Sequence, residues 1–205
     1  MKYLKMLGLA AVAAMALMAF AGSASATVLC KTTLTTGCAG GGQDYAAGTE
    51  INATLKAGTS ALLRAGFANI TCTESTVAGK TENTGSGSET VRGQIETLDF
   101  PAASCNATVH VLKTGELEIH HNAGTDNGTL TGRGSEVTVR IGEVSCTYGT
   151  GTGTNLGTLV GGNPAQMNIS TNLPKIAGGF LCANPAEWVA TYTVTNPKPL
   201  YISAS

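Results

Sequence analysis

Apolar and polar side chains alternate in short runs along most of this chain, and a period of two residues is typical of strands with one buried face. No stretch of about 12 residues or more has a helical period. The alternating runs span residues 51–55, 70–72, 91–95, 98–100, 107–111, 117–119, 137–141, 144–148, 165–169, 188–194 and 200–202. This pattern predicts an all-β fold of about ten short antiparallel strands, a β-sandwich with a β-barrel as the alternative.

Two segments predict a specific strand register. The alternation changes phase after Ile95, which predicts a bulge near Thr97. Residues 105–121 predict a hairpin, because the loop 113–115 ends in a glycine that can adopt the left-handed conformation such loops favour. In that register the apolar pairs are Val111 with Leu117 and Val109 with Ile119.

The opposite face of this predicted hairpin gathers histidine and carboxylate side chains. His110 would lie across from Glu118, with His120 two residues further along the strand. Side chains two residues apart project to the same side of a strand, so His110, Glu118 and His120 are candidate metal ligands. The simpler interpretation is a solvated polar face with a weak cross-strand pair, since antiparallel sheets commonly expose one polar face.

The N-terminal segment has the composition of a Sec signal peptide. Lys2 and Lys5 precede an uncharged apolar run at 6–20, and Ala24 and Ala26 supply the small side chains that signal peptidase requires. The run is shorter than the roughly 20 residues of a membrane-spanning helix, and a retained anchor is the alternative. We therefore expect a cleaved peptide at 1–26, a single all-β domain at 27–205, no membrane span in the mature chain and a secreted or cell-envelope location.

The chain contains six cysteines, an even number that predicts three disulfides in an exported protein. Zinc binding is the alternative, but no two cysteines are spaced C-x-x-C and the chain has only three histidines. Six cysteines allow 15 pairings, of which we expect the sequential one. The expected bridges are Cys30–Cys38, Cys72–Cys105 and Cys146–Cys182.

Charge and motif content exclude several function classes. Without Lys2 and Lys5 the basic residues fall from twelve to ten against thirteen acidic ones, a net charge of −3 with no basic cluster. Nucleic acid and anionic membrane surfaces are therefore poor candidate partners. No nucleophile elbow, metalloprotease, phosphate-binding or EF-hand motif occurs, and we expect neither enzymatic activity nor a cofactor. A pair of catalytic carboxylates placed by the fold would leave no motif and stays open.

Aromatic residues are few, with a single tryptophan. Trp188 lies in an alternating apolar run, where packing in the core is the simpler interpretation. Tyr45, Tyr148 and Tyr201 lie near predicted loops or the C-terminus. If Tyr45, Tyr148, Trp188 and Tyr201 gather on one concave surface, they are candidate ligand-binding residues for a carbohydrate or small molecule.

Some segments of the chain resemble each other. Residues 70–73 (ITCT) match 144–147 (VSCT), and each is followed by a Gly/Thr-rich segment and then a closing cysteine. A second match is between 128–130 and 157–159, both GTL. These matches predict an internal duplication that relates 70–111 to 144–194.

The overall pattern resembles a group of uncharacterised secreted bacterial Cys/Thr/Gly-rich β proteins. The stretches that carry the resemblance are 70–73, 128–132, 145–149 and 188–201. A fainter similarity, in Cys/Thr/Gly texture only, is to the exported activator-of-alkane-oxidation family. The first resemblance implies no activity, and the second implies association with the cell surface or matrix.

Three hypotheses of function follow from the sequence. The first is a non-enzymatic exported protein of the cell surface, extracellular matrix or adhesion machinery, with cell-wall or matrix components as candidate partners. The second is a carbohydrate or small-molecule binding module. The third is a metal-dependent activity at the face of His110, Glu118 and His120.

Overall fold

The computed structural model describes residues 26–33, 38, 42–66, 68–85 and 89–205, and the predicted signal peptide lies almost wholly outside them. The described residues form sixteen strands and one short 3-10 turn, Ala102–Ser104, with no α-helix among them. The all-β prediction is confirmed. In chain order the strands are β1 Thr27–Cys30, β2 Glu50–Leu55, β3 Ala61–Gly66, β4 Asn69–Cys72, β5 Thr76–Thr81, β6 Val91–Asp99, β7 Thr108–Lys113, β8 Glu116–His121, β9 Gly128–Arg133, β10 Glu136–Ile141, β11 Val144–Gly149, β12 Thr154–Val160, β13 Gln166–Leu173, β14 Lys175–Ala177, β15 Cys182–Asn196 and β16 Tyr201–Ala204.

Eight of these strands close into an antiparallel barrel, the arrangement predicted as the alternative to a sandwich. The order is β13-β12-β9-β8-β6-β5-β2-β15, and β15 pairs with β13 to complete the circle. The last barrel strand, β15, is long enough to have two partners along one edge. Its C-terminal half pairs with β2 and its N-terminal half with β3, which in turn pairs with β4. Closure leaves no free edge around the barrel.

A second sheet continues the barrel wall. It has the order β14-β11-β10-β7. Four chain segments each contribute one strand to this sheet and the adjoining strand to the barrel: β7–β8, β9–β10, β11–β12 and β13–β14. Neighbours in the barrel are also neighbours in the second sheet, because β8, β9, β12 and β13 follow the same order as β7, β10, β11 and β14.

The predicted hairpin of β7 and β8 is wrong. In the described part of the chain β7 pairs only with β10, whereas β8 pairs with β6 and β9. Gly115, in the left-handed conformation at φ +74°, carries the chain from the second sheet into the barrel, and its carbonyl accepts a hydrogen bond from Ile95 N at 3.0 Å. The alternation did not reveal this, because both strands point their apolar faces at the interior whichever neighbours they have.

The points where strands cross between the sheets are hydrogen-bonded to one another. Ser135 Oγ donates to Thr114 O at 2.6 Å, and Ser135 N donates to Thr150 Oγ1 at 3.0 Å. Thr150 N in turn donates to Ser135 O at 3.0 Å. Thr114 precedes β8, Ser135 precedes β10 and Thr150 precedes β12, so one small network fixes three crossings.

Two other features of the sequence have direct structural counterparts. The predicted bulge lies at Glu96, because Ile95 pairs with Gly79 and Thr97 with Ala78. The two GTL segments pair antiparallel in β9 and β12, with Leu130 opposite Gly157 and Leu159 opposite Gly128. The repeat therefore places a buried leucine across from a glycine at two neighbouring positions.

The three disulfides have the sequential pairing expected from the sequence: Cys30–Cys38, Cys72–Cys105 and Cys146–Cys182. The second links the end of β4 to the segment before β7. The third links β11 of the second sheet to the start of β15 in the barrel. Covalent bonds therefore cross the junction of the two sheets. The internal duplication stays a prediction.

Buried side chains form two cores, one inside the barrel and one under the second sheet. The strands β1 and β16 pair as a two-stranded ribbon beside β6 and β8 and add Leu29 and Ile202 to the barrel core. Val109 and Trp188 pack against both cores. The two cores therefore meet at these side chains.

Candidate functional site

The interior is not completely filled by side chains. A cavity of about 100 Å³, the main cavity, lies where the barrel meets the second sheet. A smaller cavity of about 50 Å³, the barrel cavity, is lined by barrel strands and Leu200. Five lining residues belong to both: Val77, Ile95, Leu117, Leu130 and Met167. The apolar space is therefore nearly continuous along the barrel interior.

Small side chains at interior positions help to leave this space. Ala61 lines the main cavity, while Ala53, Gly79 and Gly93 line the barrel cavity. An eight-stranded barrel is just wide enough for side chains to fill, or for one small ligand to be held. In this chain the side chains do not fill the interior completely.

Two tyrosines line the main cavity, and their hydroxyl groups differ in their hydrogen bonding. Tyr192 lies 2.9 Å from Ser75 Oγ, and burial raises the pKa of Tyr192 to about 12. Tyr148 is only 1% exposed, and its hydroxyl has no hydrogen-bond partner among the described residues. Burial raises the pKa of Tyr148 as well. A buried unpartnered hydroxyl costs about 1–3 kcal/mol, so Tyr148 is an exception that calls for an explanation.

Trp188 lines the same cavity as Tyr148. The two come from β15 and β11, strands that the Cys146–Cys182 disulfide joins. Cys146 and Tyr148 share one face of β11, and both are buried. The structure thus brings together two of the four aromatic residues that the sequence singled out.

The other two aromatic residues lie elsewhere. The Tyr45 hydroxyl donates a hydrogen bond to Pro199 O. Lys31 Nζ lies 5.4 Å from the centre of the Tyr45 ring. Tyr201 is part of the β1–β16 ribbon, opposite Cys30. Neither lines the main cavity, so the four residues do not form the single concave surface that the sequence suggested.

The three candidate metal ligands are not all brought together, although His120 Nε2 lies 3.8 Å from Glu118 Oε1. His110 lies on β7 opposite Thr138, in the second sheet, while Glu118 and His120 lie on β8 in the barrel. No group of three or more His, Cys, Asp or Glu side chains in the described residues is placed to hold a metal ion. The prediction of a metal site depended on a hairpin that does not form, and we withdraw it.

Glu118 instead belongs to a buried polar network on the outer face of the barrel. Thr90 Oγ1 donates to Glu118 Oε1 at 2.6 Å, and Arg133 Nη2 donates to Glu118 Oε2 at 2.7 Å. The Thr90 hydrogen bond lowers the pKa of Glu118 most, burial opposes it, and Arg133 and His120 lower it further. The net effect is a lowered pKa, as expected for a carboxylate that has a stabilising structural role.

One apolar surface was not anticipated from the sequence. The segment around β14 exposes Ile176, Phe180 and Leu181, with Phe180 94% exposed. The Lys175 ammonium donates to the carbonyl oxygens of Gly179 and Cys182, which holds the ends of this loop together.

Among the described residues, no helix has both the length and the apolar character to cross a membrane.

Comparisons with known proteins found no matching family model, no similar curated protein and no similar solved structure. The resemblances drawn from the sequence stay predictions.

The lining of the main cavity was partly visible in the sequence. Val109, Val139 and Met167 lie at inward positions of alternating runs, and that pattern marked them as buried. Tyr148 was instead expected near a loop. The pattern could not show that space remains between these side chains, because cavity volume depends on which strands face each other. The signal that pointed in this direction is the number of alanines and glycines at inward positions.

Proposed function

We propose that this chain is an exported, non-enzymatic binding protein that holds a small, largely apolar molecule inside its barrel. The main cavity, lined by Tyr148 and Trp188, is the observation that carries the proposal. Ligand sites are typically concave and mostly apolar, with few polar groups that fix orientation. Of the two ligand classes expected from the sequence, this favours a small molecule over a carbohydrate. A sugar would need many more polar partners than this lining offers.

The composition of the lining supports a binding role over catalysis. In the described residues the main cavity has no carboxylate, imidazole, amine or free thiol in its wall, and its one cysteine, Cys72, is in a disulfide. General acid–base and nucleophilic catalysis draw on such groups.

Export is the second part of the proposal. Three disulfides indicate an oxidising compartment. The N-terminal residues have the pattern of a Sec signal peptide, and β1 begins at Thr27, directly after the expected cleavage site. Mass spectrometry of the secreted protein should find Thr27 at its N-terminus.

Attachment to a cell surface or matrix is a second proposal, favoured by the exposed loop of Ile176, Phe180 and Leu181. Apolar side chains that protrude together are common at interaction sites. Retention in the washed cell-wall or matrix fraction, lost in Phe180→Ser, would support it. Free monodisperse protein in the medium would count against it.

A direct test of ligand binding uses Trp188, the only tryptophan. The main cavity of about 100 Å³ and the adjoining barrel cavity of about 50 Å³ together match the roughly 150 Å³ in which an apolar cavity binds benzene. Titration with benzene should therefore change the Trp188 fluorescence and saturate, with a dissociation constant on the order of 0.1–1 mM for a ligand of this size. Val109→Phe, in a half-buried cavity residue of the edge strand β7, should fill the space and abolish the change. Leu112→Phe is the matched control, because Leu112 lies on the same strand and is 56% exposed. Absence of saturable binding to the wild-type protein would refute the proposal.

A further inference from the structure

We propose that the open edge of β7 binds a short extended peptide as an added antiparallel strand, and that one branched aliphatic side chain of this peptide enters the main cavity. The inference rests on the proposed ligand-binding function and deepens it, because it identifies the apolar group in the cavity as part of a peptide. Peptides that add to a sheet edge gain affinity from main-chain hydrogen bonds and specificity from pockets for alternate side chains.

The edge of β7 is open because of the way the strands cross between the sheets. In the barrel, β8 lies between β9 and β6. In the second sheet β7 continues β8 and β10 continues β9, but β7 pairs only with β10 in the described part of the chain. β6 pairs with β8 only through residues 91–94 and does not pair with β7. The side of β7 that corresponds to β6 therefore lacks a neighbouring strand.

Alternation along the second sheet shows which backbone groups of β7 are free. Ser135 O accepts a hydrogen bond at 3.0 Å from the backbone N–H that follows β11. Hydrogen-bonding groups alternate in direction along an antiparallel strand, so every second residue from Ser135 faces β11 and the residues between them face β7. Thr138 is one of these, and it lies opposite His110. His110 therefore bonds to β10, whereas Val109 and Val111 direct their N–H and C=O groups out of the open edge.

This edge is accessible along its whole length. Thr108, His110, Leu112 and Lys113 are exposed, and the two valines between them are half-buried. Proline and free lysine side chains often block the edges of sheets. β7 contains no proline, and Lys113 Nζ is paired with Glu136 Oε1 at 2.6 Å. Unpaired N–H and C=O groups in such a row are a template for another strand.

The main cavity lies beside the open edge. Val109 lines it from β7, while Leu98 and Phe100 line it from the end of β6 and the residue after it. All three side chains are only half-buried, so the cavity wall reaches the surface here. Residues directly opposite in an antiparallel pair project to the same face. A peptide residue opposite Val109 therefore projects its side chain towards the cavity.

The size and chemistry of the cavity select a branched aliphatic side chain. Since an apolar cavity of about 150 Å³ binds benzene, a volume of about 100 Å³ corresponds to roughly four carbon atoms. A leucine side chain has that size. No Asp, Glu, Lys, Arg or His among the described residues lines the main cavity. A charged side chain would lose its hydration there without a counter-charge, which is highly unfavourable.

A second copy of this chain fits the site less well than a separate peptide does. If the β7 of another copy supplied the added strand, its Val109 would stay in its own cavity. The main cavity of each copy would then remain unfilled. A peptide whose side chains are free satisfies the open edge and the cavity together.

The first test varies the side chain of the peptide. Acetyl-TTLTT-amide and acetyl-TTATT-amide differ only in the central residue, and neither contains tryptophan, so the fluorescence of Trp188 reports binding. The alanine peptide should bind roughly tenfold to fiftyfold more weakly, because three fewer carbon atoms are buried. The leucine peptide should also weaken the apparent affinity for benzene, since both occupy the main cavity.

The second test varies the backbone of the peptide. An N-methyl group on the leucine removes the N–H that bonds to Val109 O and should weaken binding roughly tenfold. An N-methyl group on the threonine after it is the matched control, because that N–H points away from β7. This control peptide should bind nearly as well as the unmodified one.

The third test changes the protein. Val111→Pro removes one N–H from the open edge and no hydrogen bond to β10, an arrangement that edge strands accept. It should weaken binding of the leucine peptide roughly tenfold. Benzene binding should persist and show that the fold is intact, because Val111 does not line the main cavity. Val111→Ala keeps the N–H and should bind the peptide nearly as the wild-type protein does.

The possible failures can be told apart. If benzene binds but the leucine and alanine peptides bind equally, or the two methylated peptides do, the inference is wrong and the proposed function stands. This comparison uses the wild-type protein and holds even if Val111→Pro does not fold. A wild-type dimer in sedimentation that Val111→Pro converts to monomers would assign the edge to a second copy and also overturn the inference. If neither benzene nor any peptide binds, the proposed function fails first.

Discussion

Arg133 donates two hydrogen bonds, from Nε and Nη2, to the same carboxylate oxygen of Glu118. Glu118 is 8% exposed although its side chain projects from the outer face of the barrel. The two residues lie on neighbouring paired strands, β8 and β9. A carboxylate covered in this way is held in its charged form, and its pKa lies below the usual value of 4.5.

The lowered pKa of Glu118 predicts a pH dependence of stability. Since the folded state holds the ionised carboxylate more strongly than the unfolded state does, this contribution is complete above pH 4.5 and decreases as the pH falls through the lower folded-state pKa. We expect the free energy of unfolding, from urea titrations, to decline below pH 4.5.

Glu118→Gln should remove this part of the pH dependence and cost about 1–2 kcal/mol at pH 7, since hydrogen bonds to a charged group are lost. Glu143→Gln is the control, because the side chain of Glu143 is 99% exposed and its loss should leave stability nearly unchanged. Equal pH profiles for the wild-type protein and Glu118→Gln would contradict this interpretation.

Gly115 should be sensitive to substitution because it carries the chain from the second sheet into the barrel. A Cβ at this position would collide with the carbonyl oxygen of Arg133 in addition to the left-handed φ of +74°. Gly142 has φ +57°, and in the described part of the chain nothing lies within 4 Å of a Cβ added there. We expect Gly142→Ala to cost about 1–2 kcal/mol, and Gly115→Ala to cost clearly more or to prevent folding. Equal unfolding midpoints would show that the collision is easily relieved.

The disulfides should differ in their contributions to stability. Cys146–Cys182 spans 36 residues and Cys30–Cys38 only 8. In the chain-entropy model, replacing both cysteines by alanine should cost about 4 kcal/mol for the longer loop and about 2.5 kcal/mol for the shorter. Denaturant titrations of the two double variants measure both values, and the opposite order would mean that local packing outweighs loop length.

Met167 lines both cavities, so its size should limit ligand length. Met167→Ala should enlarge and join the two spaces, so that toluene and ethylbenzene bind more tightly than they bind the wild-type protein. We expect a loss of stability of about 2–5 kcal/mol, typical of a large-to-small core substitution. Met167→Leu keeps the volume and should keep the wild-type length limit. If Met167→Ala leaves the maximum ligand length unchanged, another residue sets that length.

Local features of the fold could be predicted from the sequence where one segment determined them. The phase change after Ile95 predicted a bulge near Thr97, and the bulge lies one residue earlier, at Glu96. The three disulfides follow the sequential order, in which short separations favour contact. The prediction of a hairpin at Gly115 was wrong, because alternation shows which face of a strand is buried and does not show which strand is its neighbour.

The candidate site was less predictable for a related reason. Tyr148 and Trp188 are 40 residues apart in the sequence, and they meet because β11 and β15 belong to different sheets that share one interior. Strands such as β3, β5 and β12 gave weak patterns, since glycine, alanine and threonine interrupt their apolar residues. Without those strands the closure of the barrel, and the space inside it, could not be derived.

The passage of four segments from one sheet to the other has a consequence for how the molecule comes apart. Cleavage of the chain at a single place between residues 107 and 177 would not separate the barrel from the second sheet, because each of the four crossing segments contributes a strand to both sheets. The two cores should therefore melt in a single transition, and neither half should persist as an independent fragment. An insertion that loosens one crossing should therefore lower the stability of both cores.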